Sequence, residues 1–139
     1  MKKAIRGIVA FAVLICMSAA FAGCGGSNAP ASLEAYMTEH PDLVSEIENG
    51  LKSGDDGKLA VDYSKNCCEI TCTYSDTFDE TVSKELAAQL EKNSDKYADK
   101  CKESIKLIEN ESGLKGVTIS MTFVNGDGTV IWKKEYTAE

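Results

Sequence analysis

The chain has 139 residues, of which 22 are acidic and 15 are basic, so its formal charge at neutral pH is −7. Six residues are cysteine and one is histidine. Such an acidic surface gains nothing from the counterion release that drives nucleic-acid binding, and anionic lipid repels it. This composition excludes a nucleic-acid partner and, with the length, predicts a single small domain.

The first 23 residues have the layout of a secretory signal peptide. Lys2, Lys3 and Arg6 form a basic start, and apolar or small residues follow at 8–22. This run is shorter than the roughly 20 apolar residues that a membrane-spanning helix needs. We therefore expect residues 1–23 to be removed, which leaves 12 basic against 22 acidic residues and a formal charge of about −10.

Cys24 follows the small residues Ala22 and Gly23. This arrangement resembles the lipobox of bacterial lipoproteins, in which the cysteine receives a diacylglycerol thioether and is often N-acylated. Phe21 stands where the lipobox usually has leucine. The resemblance implies that Cys24 carries diacylglycerol and a fatty acid such as palmitate, and we expect no other cofactor. The alternative is a secreted protein that is cleaved after Ala22 and keeps Cys24 as a free thiol.

Residues 24–32 are predicted to form a flexible, lipidated tether, because small and turn-forming residues dominate them. The remaining residues, 33–139, are enough for one domain with a modest core. Ser32 is the predicted N-cap of a helix over 33–39. Pro41 then begins a second helix, at a position where its missing N–H does no harm.

Residues 58–75 alternate between apolar and polar side chains and predict a β-hairpin. The turn is Lys65-Asn66, in which asparagine tolerates a positive φ. The resulting register places six apolar side chains on one face: Leu59, Val61, Tyr63, Cys68, Ile70 and Cys72. A slip of one residue would mix the two faces, so the pattern specifies this register well.

The segment after this hairpin has helical periodicity. Thr77 and Glu80 have the spacing of a capping box, and apolar residues then recur near the helical period as far as Ile108. Gly113 supplies the stop. Polar residues at 93–95 interrupt the apolar stripe, so the sequence leaves open one kinked helix or two helices that meet there.

A second hairpin is predicted over 117–136, around the turn Asn125-Gly126-Asp127-Gly128. Pairing Val124 with Thr129 puts most of the apolar residues of this hairpin on one face. Lys134 is the discordant residue on that face. This hairpin is therefore also one-sided.

Two one-sided hairpins and an amphipathic helical layer predict the α+β class. We expect a two-layer sandwich in which a four-stranded antiparallel sheet, made of two hairpins, has helices on one face. The other face is rich in threonine. Such a face is usually solvated sheet, and as a docking surface or an edge for an added strand it is the best binding candidate that the pattern offers. Its threonines are Thr71, Thr73, Thr118, Thr122 and Thr129.

Three segments carry a resemblance to a known family: Ser-Leu-Glu-Ala-Tyr at 32–36, Pro-Asp-Leu at 41–43, and Phe-Val-Asn-Gly-Asp-Gly-Thr-Val-Ile at 123–131. In these the chain resembles small lipoproteins of Gram-positive bacteria that share a C-terminal domain of unknown function. The resemblance implies a place on the outer face of the cytoplasmic membrane, held there by the lipid. It transfers no active site, and an envelope protein is the expected kind of partner.

Four cysteines remain in the mature chain besides Cys24. Cys67 and Cys68 are neighbours, and their Cα atoms, about 3.8 Å apart, are too close for a comfortable disulfide. Cys68 and Cys72 share a face but lie roughly 13 Å apart along an extended strand. The remaining bridge joins Cys101 to Cys68 or to Cys72. Cys67 points to the opposite face and is the predicted exposed thiol.

The sequence contains no nucleophile elbow, phosphate loop or histidine-rich metal motif. We therefore expect a non-enzymatic, lipid-anchored binding or accessory module at the cell surface. The alternative is a thiol- or metal-handling envelope lipoprotein that uses Cys68, Cys72 and Cys101. Against redox chemistry, these thiols are not at a helix start, where a thiolate would be stabilised.

Overall fold

The computed structural model describes residues 29–51 and 57–139. The predicted signal peptide and Cys24 lie outside these ranges. No helix within them is both long and apolar enough to cross a membrane. The helices and strands in the two ranges are, in chain order, α1 (Leu33–Glu39), α2 (Pro41–Leu51), β1 (Gly57–Ser64), β2 (Cys67–Tyr74), α3 (Glu80–Ser112), β3 (Thr118–Val124) and β4 (Val130–Tyr136).

Local sequence sets the starts of the two short helices. The Oγ of Ser32 accepts a hydrogen bond from the backbone N–H of Ala35 at 3.1 Å, which confirms Ser32 as the N-cap of α1. Pro41 is the first residue of α2, as predicted. Leu33 and Met37 of α1 are almost fully buried, so this helix is held by its cap and by its apolar face.

The first hairpin has the predicted register. Three facing pairs confirm it: Leu59 with Cys72, Val61 with Ile70, and Tyr63 with Cys68. The positive φ of the turn, 54°, belongs to Lys65, and the side chain of Asn66 has another role. Its Oδ1 accepts from the N–H of Leu33 at 3.0 Å, and its Nδ2 donates to the carbonyl oxygen of Lys115 at 3.2 Å. The turn therefore ties α1 to the segment before β3.

The third helix, α3, is one continuous helix of 33 residues. Its N-cap is Asp79, whose Oδ1 accepts from the N–H of Val82 at 2.9 Å. The predicted capping box at Thr77 is therefore wrong by two residues. The helix ends before Gly113, which has a φ of 75°, as predicted. At about 1.5 Å per residue, α3 is roughly 50 Å long and can return the chain along the whole sheet.

The strands lie in the order β1-β2-β3-β4, and β2 pairs with β3 in parallel. The predicted all-antiparallel sheet is therefore wrong, although each hairpin is antiparallel, and the sheet is mixed. The cause is the connection, because α3 leaves the end of β2 and brings the chain back to the end where β2 began. The α+β class is confirmed.

The second hairpin has an irregular register. Phe123 pairs with Trp132 and Val124 with Val130, and a β-bulge lies between these pairs. The predicted pairing of Val124 with Thr129 is wrong, because the bulge adds a residue to β4. Val130 is consequently 60% exposed and does not join the apolar face.

The inner face of the sheet, defined here by the alternate residues that include Cys68, Ile70 and Met121, packs against α1 and α3 in one core. The opposite, outer face carries mainly polar side chains. The largest fully buried side chains come from the inner face and these two helices: Leu33, Ile70, Leu90, Ile105, Ile108, Ile119 and Met121.

Asn125 joins the turn of the second hairpin to the β2–α3 connection. Its side chain is buried; Oδ1 accepts from the N–H of Phe78 at 2.8 Å, and Nδ2 donates to the carbonyl oxygen of Phe78 at 2.9 Å. Gly126 donates its N–H to the carbonyl oxygen of Asp76 at 3.2 Å, and a Cβ on Gly126 would come within 2.7 Å of that oxygen. The backbone N–H and carbonyl oxygen of Phe78 are both hydrogen-bonded to the side chain of Asn125. These groups are therefore not used in helical hydrogen bonds, and α3 begins after Phe78.

We expect Asn125→Ala to lower the free energy of unfolding by about 2–3 kcal/mol, because the backbone groups of Phe78 lose both partners in a partly buried place. Urea denaturation followed by tryptophan fluorescence measures the change. The control is Asn110→Ala, at an exposed position of α3, which should change stability by no more than about 0.5 kcal/mol. Equal effects of the two substitutions would contradict the role given to Asn125.

Candidate functional site

The four described cysteines lie on β2 and α3. Cys68 and Cys101 are buried, Cys72 is half-buried, and Cys67 is partly exposed on the outer face. All four are free thiols in the structure. The bridge from Cys101 to Cys68 or to Cys72 stays a prediction, and Cys101 is close enough to Cys68 to influence its ionisation.

Burial makes the inner thiols poor nucleophiles. It raises the pKa of Cys68 to about 12, and Cys67 and Cys101 add to this shift. Burial also raises the pKa of Cys101 to about 12, and that of Cys72 above its ordinary value. The thiolate is the reactive form, so these groups are protonated and inert near neutral pH. No three His, Cys, Asp or Glu residues in the described ranges are placed to hold a metal ion.

We predict that Cys67 of the native protein reacts with iodoacetamide at least about tenfold faster than Cys68 or Cys101. Of these three cysteines, Cys67 is the one that is accessible and outside the core. Mass spectrometry of the labelled peptides at pH 8 measures the rates. In guanidinium without reductant the three rates should become similar, whereas a residue that stays unlabelled there would reveal a disulfide. Native labelling of Cys68 or Cys101 as fast as Cys67 would contradict the burial argument.

The residues that broke the apolar pattern of the sequence meet each other between α3 and β4. The Nζ of Lys134 donates to the Oγ of Ser94 at 2.7 Å and to the Oε1 of Glu91 at 3.0 Å. The Nε1 of Trp132 donates to the other carboxylate oxygen of Glu91 at 2.8 Å. Ser94 is 1% exposed and donates its own hydroxyl to the carbonyl oxygen of Glu91 at 2.7 Å. Polar residues at 93–95 therefore do not break the helix.

A serine beside a lysine is also found in hydrolases that use serine as the nucleophile and lysine as the base. Here the serine is out of reach of a substrate, because Ser94 lies on the buried side of α3. A lysine base must be neutral, whereas Lys134 forms an ion pair with Glu91. We therefore assign this polar cluster to fastening α3 onto β4.

Trp132 is the single tryptophan of the chain, so its fluorescence reports on this polar cluster. Hydrogen bonds from Trp132 and from Lys134 hold the pKa of Glu91 below its usual 4.5. Because the pKa of Glu91 is lowered, its contact with Trp132 and Lys134 is fully present at a pH above the usual glutamate pKa. The contact is lost as the pH falls through the lowered pKa of Glu91.

We expect a reversible change in Trp132 fluorescence on acidification, with its midpoint below pH 4.5. Fluorescence titration from pH 7 downwards measures it. The same titration of Glu91→Gln should lack this step, because an amide does not ionise. A midpoint at or above the usual glutamate value, or an unchanged step in Glu91→Gln, would contradict the contact.

The described residues form a pocket of about 280 Å³ between α1, α2 and β1, open to solvent. Apolar side chains from the helices line part of it, and the carboxylates of Glu34 and Asp62 are exposed at its side. The lining residues are Glu34, Met37, Thr38, Val44, Asp62 and Tyr63. Small-ligand sites usually have mainly apolar walls with a few polar groups, and this recess is more polar, with Met37 and Val44 as its aliphatic contacts.

Tyr63 contributes a polar group that has no partner among the described residues. Its hydroxyl is buried and makes no hydrogen bond to them. Burial raises the pKa of this hydroxyl, and Cys68 and Glu48 add to the shift, so the group stays protonated and can donate. A buried hydroxyl without a partner costs free energy. The sequence did not predict the pocket, because Tyr63 was counted among the apolar residues of the hairpin. The polar hydroxyl of this tyrosine was the one feature of the sequence that could have indicated the pocket.

A protein-family model described as a domain of unknown function, DUF4854, matches residues 33–136. This match begins with α1 and ends with β4, so it includes the pocket and the polar cluster between α3 and β4. Comparisons with curated proteins and with solved structures gave no match.

Proposed function

Because the chain belongs to the DUF4854 family, whose domain has no known function, we propose from physical evidence a lipid-anchored, extracytoplasmic binding or accessory module that catalyses no reaction. The observation that carries the binding role is the pocket between α1, α2 and β1. Its lining offers two carboxylates and apolar contact, but no paired nucleophile and base. Such a lining can hold a ligand without transforming it.

The anchor in this proposal is the lipid on Cys24, and the point where the tether joins the domain decides which end lies nearest to the membrane. Ala29 lies beside Gly113 at the end of α3, since a Cβ on Gly113 would be 3.3 Å from that of Ala29. The start of α1 is bonded to Asn66 at the same end of the sheet. A tether that enters here places this end, and the pocket near Tyr63, closer to the outer face of the cytoplasmic membrane.

The expected partner in this setting is another molecule of the envelope. The mature chain has a formal charge of about −10, so long-range attraction favours cationic ligands or partners over anionic ones. The same charge disfavours nucleic acid. The lipid alone has to hold the protein at an anionic membrane surface.

The thiol- or metal-handling alternative has no supporting observation among the described residues. Burial keeps Cys68 and Cys101 protonated near neutral pH. Cys72 is shifted in the same direction. We therefore do not propose it as a second function.

We expect Cys24→Ala to abolish incorporation of a labelled fatty acid and to release the protein from the membrane fraction, because Cys24 is the proposed acceptor of the lipid. Metabolic labelling with an alkyne-tagged palmitate, followed by fractionation, measures both effects. Cys67→Ala is the matched control and should remain labelled and membrane-bound. Persistent labelling of Cys24→Ala would contradict the proposed anchor.

A further inference from the structure

The outer face of the sheet carries a row of three carboxylates around a serine. Asp62 pairs with Glu69, Glu69 with Ser120, and Ser120 with Glu135, so the four residues lie side by side from β1 to β4. The three acidic residues of this outer-face row are exposed. Like charges in directly opposed positions, such as Asp62 and Glu69, destabilise a sheet.

No ion pair among the described residues involves the outer-face row. The two ion pairs found among them both involve α3 and use none of these carboxylates. Asp62 accepts a hydrogen bond from the neighbouring backbone N–H of Tyr63, at 2.9 Å. Lys133 lies on the same face two residues from Glu135 but forms none of the ion pairs found among the described residues, so the row keeps a net negative charge.

Ser120 gives the independent sign of a ligand. It is 2% exposed, and its Oγ is buried with no hydrogen-bond partner in the part of the chain that the structure describes. Side chains alternate between the faces of a strand, so Ser120 points to the same face as Glu69 and Glu135, which flank it. A bound N–H donor between these carboxylates would pair with both the charge and the unsatisfied hydroxyl.

The spacing of the row selects the kind of cation. Neighbouring strands are about 4.8 Å apart, so Glu69 and Glu135 are separated by roughly 10 Å across β3, whereas Ca²⁺ holds its oxygen ligands at about 2.3–2.6 Å. No three acidic, histidine or cysteine residues of the described ranges are placed for a metal ion. A chain that carries several separate ammonium groups matches the row better than a single ion.

We propose that the outer-face row binds a linear aliphatic polyamine. Its ammonium groups pair with Asp62, Glu69 and Glu135, and one N–H donates to the Oγ of Ser120. The exposed glutamates rotate to admit the ligand to this hydroxyl. Asp62 also lines the pocket, so the row and the pocket meet at β1. The proposal goes beyond the binding role given to the pocket and adds the outer-face row as a separate ligand surface.

Isothermal titration calorimetry with spermidine tests this assignment. The protein is the full chain carrying Cys24→Ala, because this variant cannot receive the lipid on Cys24. We expect saturable binding at low ionic strength. Glu69→Gln combined with Glu135→Gln should weaken it at least about tenfold, because two of the charge partners are lost. Ser120→Ala should weaken it about tenfold without changing the charge, which is the size expected for a hydrogen bond from a charged donor.

The matched control is Glu85→Gln combined with Glu103→Gln, which removes the same charge from exposed positions of α3 and should bind spermidine like the parent. Circular dichroism checks that each variant is folded. Equal weakening in the control would show nonspecific attraction and overturn the assignment. Binding of Ca²⁺ in place of spermidine would also overturn it, as would no spermidine binding. A negative result here leaves the outcome of fatty-acid labelling unchanged, so the two proposals fail separately.

Discussion

The parallel pairing of β2 with β3 is the constraint on which the rest of this domain depends. Two one-sided hairpins can join in either direction, but α3 runs back along the sheet and starts β3 at the end where β2 began. With Ile70 beside Met121, an antiparallel pairing would place Thr122 beside Glu69. The parallel pairing places Ser120 there instead. The outer-face row therefore exists because of the long crossover helix.

Local patterns predicted the features that local physics decides. Alternation of side chains predicted the first register, and Ser32 and Gly113 were recognised as the cap of α1 and the end of α3. The direction of β3 was missed because it depends on a helix and not on either hairpin. The cap at Asp79 and the bulge after Phe123 were missed because contacts between distant segments, above all those of Asn125, override local preference.

The candidate sites were only partly visible in the sequence. Ser94 and Lys134 stood out as polar residues in apolar stripes, but each is explained by the other, 40 positions away. The unpartnered hydroxyl of Tyr63 becomes apparent only when the helices pack beside β1. The cysteines that gave thiol or metal chemistry as an alternative contribute mainly to packing, because the burial that completes the core also keeps the thiols of Cys68 and Cys101 protonated.

The direction of β3 is best tested by nuclear Overhauser effects between β2 and β3 in solution, because both the fold and the outer-face row depend on it. The parallel register predicts contacts between Cys68 and Ile119 at one end of the pair, and between Cys72 and Phe123 at the other. Contacts between Cys68 and Phe123 would show an antiparallel pairing. That result would contradict the crossover and remove the outer-face row.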